Sequence, residues 1–588
     1  MQLTRGLLAA APIVAFALFA CAPDVVGLHE LAAADDAPGS AALVGKSTVV
    51  VGASSSGNYL AGRHAQTRRE FDAAAEYMGK ALNDDPSNLT LMRQAYRLKL
   101  ANGDIAAATE LAKRILQVEP NAALANLGLI AEDMKAGRFQ EANARAQAMP
   151  GQGLNALLAP LVKAWTLVGL GMTDDAIAAL APLKALTGLA ILHDMHAGLI
   201  QDLAGRTDAA IASLKAAEGA NGESALRIVE ALGSLYERAG KTEEARGLYA
   251  KYINENPDTT VLAPALKRLD SGAKAPPIVA DARQGLAEAL LNLGGTLSGD
   301  NTAEVAMVCG RLAIYLRPDL DLARMLVAGI LESQGGEADA NKLYDEVSKT
   351  SPLSWLARIR EAANLDTLGK TDEAVAILRE MAKENTTRAD ALVNLGDLLR
   401  AHKRFAESVE AYDQAFARLG EIGPRHWSLL YSRGISLERS NQWERAEADL
   451  KKALQLSPDQ PYVLNYLGYS WVDKGMHLTE ARKMIERAVE LRPTDGYIVD
   501  SLGWLFYRTG HYKEAVDNLE RAVELKPQDP VINDHLGDAY WRVGRQAEAR
   551  YQWQRALVLD PEPDLVGEIK NKIARGLAAA TRKSNNDI

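Results

Sequence analysis

His193 and His196 stand at i and i+3 in a stretch with helical period, a spacing that puts two imidazoles on one face and could hold a metal ion. Only Asp194 lies near them, and the same period turns it elsewhere. Two packed or surface histidines are the plainer reading. Cys309 falls in an apolar helical stretch and reads as a small buried hydrophobe. The chain has no Gly-rich phosphate loop and no GxSxG, HExxH or CxxC pattern. Its carboxylates are numerous, as they are on any set of solvated helices. The expectation is a protein with no catalytic residues, no metal, no cofactor and no small-molecule substrate. An enzyme with an unrecognised site is the alternative of another class.

The 588 residues hold 66 Lys plus Arg and 76 Asp plus Glu, a formal charge of −10. A surface of that sign suits solubility and not phosphate backbones, so nucleic acid is not expected as a partner. Apolar residues make up 48% and charged residues 24%, a globular balance. Cys21 and Cys309 are the only cysteines, so neither an internal disulfide nor a multi-Cys metal site is expected.

The chain opens MQLTRGLLAAAPIVAFALFAC. Arg5 supplies a positive start, and residues 6–20 are uncharged and rich in Ala, Leu and Phe. Such a run is short for a membrane span and suits the core of a signal peptide. Its end, Leu18-Phe19-Ala20-Cys21, resembles the lipobox of bacterial lipoproteins, which implies that Cys21 becomes the lipidated first residue of the mature chain. In such lipoproteins Ala22, rather than Asp, in the next position implies sorting to the outer membrane. An ordinary secretory leader cut near Ala20 is the alternative. Residues 21–54 are rich in Ala, Gly, Ser and Asp and read as a flexible tether, with the run Val49-Val50-Val51 as a conceivable short strand.

The rest of the chain repeats itself. DSLGWLFYRTG at 500–510 returns as DHLGDAYWRVG at 534–544. With the Gly of that stretch as marker, the register falls at Gly62, Tyr96, Ile130, Ala164, Gly198 and Gly233. It resumes at Gly294, Ala328, Ala362, Gly396, Gly434, Gly468, Gly503 and Gly537, with most steps 34 residues long. Proline closes many units, among them Pro120, Pro493, Pro527 and Pro561. Within the last unit Leu536, Gly537 and Tyr540 share a face of one helix, and Gly544 breaks the chain. Ala549, Trp553 and Ala556 then form the apolar stripe of a second helix. Small residues at Gly537 and Ala549 let the two helices approach closely, and Pro561 stops the second. One such pair buries only part of its apolar face, so stability must come from stacking on neighbours.

The succession of Leu-Gly, Tyr, Ala, an aromatic and Pro over residues 536–561 resembles the tetratricopeptide repeat. The resemblance implies an all-α fold, a tetratricopeptide-repeat superhelical solenoid of helix-turn-helix units. The expected divisions are a lipoprotein signal peptide at 1–20, a tether at 21–54 and an N-terminal array at 55–259. An interruption at 260–286, a C-terminal array at 287–563 and a capping helix with tail at 564–588 follow. The interruption, with its Ala-Pro-Pro step, would be a joint between two superhelical segments.

In this family the first helices line a concave groove. Its groove-facing positions fall here on Tyr462, Asn465, Tyr469, Val472 and Asp473; on Tyr497, Asp500, Trp504, Tyr507 and Arg508; and on Val531, Asp534, Asp538, Trp541 and Arg542. Leu502, Phe506, Leu536 and Tyr540 fall at packing positions. The last 162 residues hold six of eight Trp and nine of eighteen Tyr, a bias that suits peptide recognition by rigid aromatic area. The same aromatics could instead pack on the next unit or on the tail.

A lipobox-like leader, a tether and a long repeat array together resemble the bacterial outer-membrane tetratricopeptide lipoproteins. Some of these are adaptors that hold periplasmic carboxyl-terminal processing proteases together with substrates such as peptidoglycan hydrolases. The resemblance implies a protein-binding scaffold, lipid-anchored and facing the periplasm, with a protease and a wall hydrolase as candidate partners. A scaffold for envelope assembly or polysaccharide export is the rival of the same class.

Overall fold

The computed structural model describes residues 54–68, 70–186, 188–218, 225–256, 259–297 and 302–578. The leader, Cys21 and most of the tether lie outside the described residues. Among the described residues there are thirty α-helices and no strand. None of these helices is long and apolar enough to cross a membrane.

The pair Pro530–Arg542 and Gln546–Val558 shows why the sequence makes such units. Asp529 caps the first helix, accepting from the N–H groups of Val531 and Ile532 at 2.9 and 3.0 Å, and Pro530 takes the first turn, where no N–H is needed. A Cβ on Gly537 would lie 2.5 Å from the Trp553 indole, so only glycine lets the second helix come this near. Trp553 is fully buried between them with Ala549 and Ala556. Replacing Gly537 by any larger residue would push this pair apart.

Contacts divide the chain into two compact units, the first ending at Ile377 and the second beginning at Leu378. The 260–286 interruption lies inside the first of these units. Its helix Ala263–Ser271 packs on Thr242–Glu255, and the Ser234 hydroxyl donates to the Pro276 carbonyl at 2.7 Å. Beyond it the chain turns back on the repeats that precede it. Helix Ala282–Thr296 packs on the first helices Ala123–Lys135, Asn155–Gly169 and Ala190–Leu203. Helix Ala303–Leu316 packs on Leu89–Ala101 and Ala123–Lys135. One continuous apolar core runs from Ala65 to Ala323 as a result.

The second unit keeps its pairs in series, each stacked on the next, and ends in helix Pro563–Arg575. Its own early turn meets its late one: Lys403 Nζ lies 2.7 Å from Glu562 Oε1.

Candidate protein-interaction site

The face made by the first helices differs between the units. In the first unit it is already filled. Arg227 grips the fully buried Glu288 through two bonds of 2.7 and 2.6 Å. Trp165 Nε1 donates to His196 Nδ1 at 3.2 Å, and Asn292 Nδ2 sits 3.5 Å from His196 Nε2. Lys135 Nζ donates to the Tyr315 carbonyl at 2.8 Å, and Arg97 meets Glu304 at 3.0 Å. His196 is thus a packed histidine whose burial pushes its pKa down to about 4, so it stays neutral. His193 pairs instead with its neighbour Asp194 at 2.8 Å. The two rings do not converge on a common point. Cys309 is fully buried, and burial pushes its thiol up to about 12.

In the second unit the first helices Pro461–Lys474, Gly496–Arg508 and Pro530–Arg542 lie side by side. They carry the residues expected to face a groove. Tyr497 is 45% exposed, with Lys526 Nζ 5.3 Å above its ring. Tyr462 is half-buried under Arg492. Tyr469 is half-buried, and burial raises its phenol well above the ordinary range. Arg508 and Asp473 are both exposed and pair at 3.0 Å. Trp504 is clasped between two rings: Tyr507 at 4.8 Å and 12° from parallel, and His535 at 4.0 Å and 16°. Two buried polar atoms here have no partner, Trp504 Nε1 and Asn465 Oδ1. Unsatisfied buried donors and acceptors are uncommon and mark a place where another polar group fits.

Several expected groove residues are not free. Val472 is 1% exposed and belongs to the core, because the adjacent pair crowds that side of the helix. Asp500 is buried and holds His535 Nδ1 at 2.9 Å. Burial works against the charged imidazole, but the Asp500 carboxylate outweighs it and holds the His535 pKa above its ordinary value. Asp534 and Asp538 are buried beneath the last helix, where Lys572 Nζ lies 2.7 and 3.0 Å from them. Burial and the charge of Asp534 push Asp538 up to about 6. Trp541 Nε1 donates to the Leu577 carbonyl at 3.2 Å, and Arg542 donates to that of Ala578 at 2.5 Å. These four therefore hold the chain's own C-terminal segment, the alternative in which the tail covers the aromatics. Leu502, Leu536 and Tyr540 are buried, as packing positions should be, while Phe506 is half-buried.

Sequence reasoning missed His535 and Lys572. A signal for Lys572 was present: it falls on the apolar stripe of Leu565 and Ile569, and a lysine on a buried stripe requires a carboxylate.

Tetratricopeptide-repeat models match residues 202–258, 359–424, 387–461 and 431–496, and a second model of the repeat matches 503–544. With the helix-pair geometry, these matches show tetratricopeptide repeats over those residues. A TPR repeat-containing protein of Pseudomonas aeruginosa is 29% identical over 206 residues, 33% of this chain and 32% of that one. The cellulose synthase 2 operon protein C of Komagataeibacter xylinus is 27% identical over 345 residues, 54% of this chain and 25% of that one. The chain spans no more than about a third of the length of these relatives. A chain of the APC/C hetero-tetramer Cut9–Hcn1 aligns at 16% identity and a TM-score of 0.37, over 89% of this chain and 96% of that one.

Proposed function

We propose that this chain is a non-catalytic protein-interaction scaffold of the bacterial envelope, anchored in the outer membrane through a lipid on Cys21. Partner proteins dock on the first-helix face of its second unit. The observation that carries the reading is the run of exposed or half-buried Tyr462, Tyr469, Tyr497, Trp504 and Arg508 along three adjacent first helices. Rigid aromatic area beside an exposed charged pair is what a peptide or helix partner covers. The first unit offers no such face, since its own helices cover it.

Within this role the chain acts as an adaptor that brings a periplasmic carboxyl-terminal processing protease to a peptidoglycan hydrolase. The test is capture of partners from solubilised envelopes by the full-length chain, beside a Trp504→Ala variant. A protease and a wall hydrolase held by the wild type and lost from the variant are the expected result. Specific partners that include neither sink the adaptor role. A second reading, a scaffold for polysaccharide export, is favoured by the resemblance to a cellulose synthase operon protein over 54% of the chain. Capture of export machinery in the same experiment would select it. Membrane partition unchanged by Cys21→Ser would remove the lipid anchor.

A further inference from the structure

The last helix underfills the site it occupies. Lys572 offers one ammonium to Asp534 Oδ2 at 2.7 Å and Asp538 Oδ2 at 3.0 Å, with the exposed Glu568 at 3.6 Å. Trp553 Nε1 takes Asp538 Oδ1 at 2.9 Å. Asp534 Oδ1 is buried and receives no hydrogen bond. An ammonium is a compact charge, whereas a guanidinium presents five donors in a planar fork that spans both oxygens of a carboxylate. Two buried aspartates with one vacant oxygen are therefore better matched to arginine than to the lysine now there.

The occupant is also lightly held. Helix Pro563–Arg575 fully buries only Ile569 and Lys572, with Leu565, Ile573 and the following Leu577 half-buried against the same core. Past the helix, Trp541 and Arg542 touch the segment through the carbonyls of Leu577 and Ala578, contacts that read no side chain. Gly576 has φ +69° and ψ −172°, and a Cβ there would lie 1.9 Å from the Trp541 ring. One fully buried apolar side chain, three half-buried ones and main-chain contacts beyond Gly576 hold this segment less firmly than the paired helices before it, whose apolar stripes are fully buried.

We propose that residues 572–578 are an exchangeable internal occupant, and that the partner segment that replaces them is a helix end carrying an arginine one turn before its last residue. This rests on the second unit's first-helix face being the docking face. Its partner contributes the guanidinium that Asp534 and Asp538 lack, then runs its backbone past Trp541 and Arg542 as the tail does now.

The test uses the full-length chain with Gly576→Ala, which drives the tail off Trp541 and leaves every side chain of the site intact. The probes are labelled synthetic peptides copying residues 563–578 with Lys, Arg or Gln at the position of Lys572, followed by fluorescence anisotropy. The wild type should bind none of them. The variant should bind the Arg peptide at least about tenfold tighter than the Lys peptide, the factor of one charge-assisted hydrogen bond, and the Gln peptide least. Adding Asp534→Asn should erase the Arg preference. Equal binding of the Arg and Lys peptides, or no binding of either, overturns the proposal. Should Gly576→Ala not fold, Lys572→Ala takes its place with the same expected order. An Arg preference here with no partner captured from envelopes would sink the proposed function and leave this site standing; capture without an Arg preference would do the reverse.

Discussion

The two units answer the same architectural problem in opposite ways. Both stack helix pairs whose first helices make a continuous face. In the first unit helices Ala282–Thr296 and Ala303–Leu316 lie on that face and seal it with a buried ion pair and a Trp–His–Asn cluster. In the second, the face keeps the exposed Tyr497, half-buried Tyr462 and Tyr469 and a clasped tryptophan, and only its last pair is covered. Period and helix packing are therefore not what makes a repeat face available to a partner. What decides is whether the chain itself supplies the covering helix.

The strongest way to break this contrast is to unseal the first unit. Glu288→Ala leaves the Arg227 guanidinium with Glu230 as its one remaining carboxylate at 2.9 Å and should cost about 3 kcal/mol. Hydrogen exchange should speed up in 282–316 and in the helices beneath, while envelope partners are still captured. Partner loss without faster exchange there would place docking on the first unit. Next, Trp504→Ala should weaken partner capture by at least about 2 kcal/mol, the scale of an interface hot spot. Stability should fall by about 1–2 kcal/mol, because the ring is half-buried between Tyr507 and His535. Full unfolding would show the ring to be core. Trp541→Ala is predicted to loosen the tail instead, since that ring holds the Leu577 carbonyl.

A pH series sharpens the contrast further. The folded His535 pKa lies above its ordinary 6.5, so its bond to Asp500 adds stability that is complete below about 6.5 and fades as pH rises through the folded value. Asp538, raised to about 6, works the same way, because its penalty shrinks as pH falls below that value and is gone below its ordinary 3.8. Asp500, Asp534, Asp538 and Lys572 all face this cluster, so the comparison is wild type against His535→Gln. The wild-type advantage in unfolding free energy should be largest in mild acid, about 1–3 kcal/mol, and shrink on going alkaline. A constant gap across the series would show that the ring is not charged. The first unit's His196, pushed down to about 4, should give the opposite slope when changed to Gln: wild type loses stability relative to the variant as pH falls from about 6.5 towards 4, because the unfolded chain takes up a proton there and the buried ring does not. The smallest effect is expected of Arg508→Ala. Its exposed pair with Asp473 should contribute less than about 1 kcal/mol and be screened by salt.

What could be read from the residues is what recurs at a fixed spacing. Gly537, Ala549 and Trp553 named their packing roles because a helical period places them on one stripe, and the stripe returns every 34 residues. What could not be read depends on where a distant segment lands. Asp534 and Asp538 sit at groove positions by spacing, yet Lys572 reaches them from 38 and 34 residues away, past a turn whose course no period encodes. The sealing of the first unit was hidden for the same reason. Residues 260–286 break the repeat, and nothing in a broken period says that the chain doubles back. Val472 shows the finer limit: a position that faces a groove in an ideal repeat is core where the neighbouring pair leans over it.

Doubling back changes how the first unit must fold. An ordinary repeat array behaves as a one-dimensional chain, in which each pair needs only its neighbours and units are gained or lost singly. Here Arg97 meets Glu304 across 207 positions, and Lys342 meets Asp72 across 270. Such remote pairings raise contact order, slow folding and tie early and late repeats into one transition. Excising a single pair from residues 89–238 would shift every partner of the covering helices out of step. The first unit should melt as one block, while pairs of the second peel away in sequence from an end.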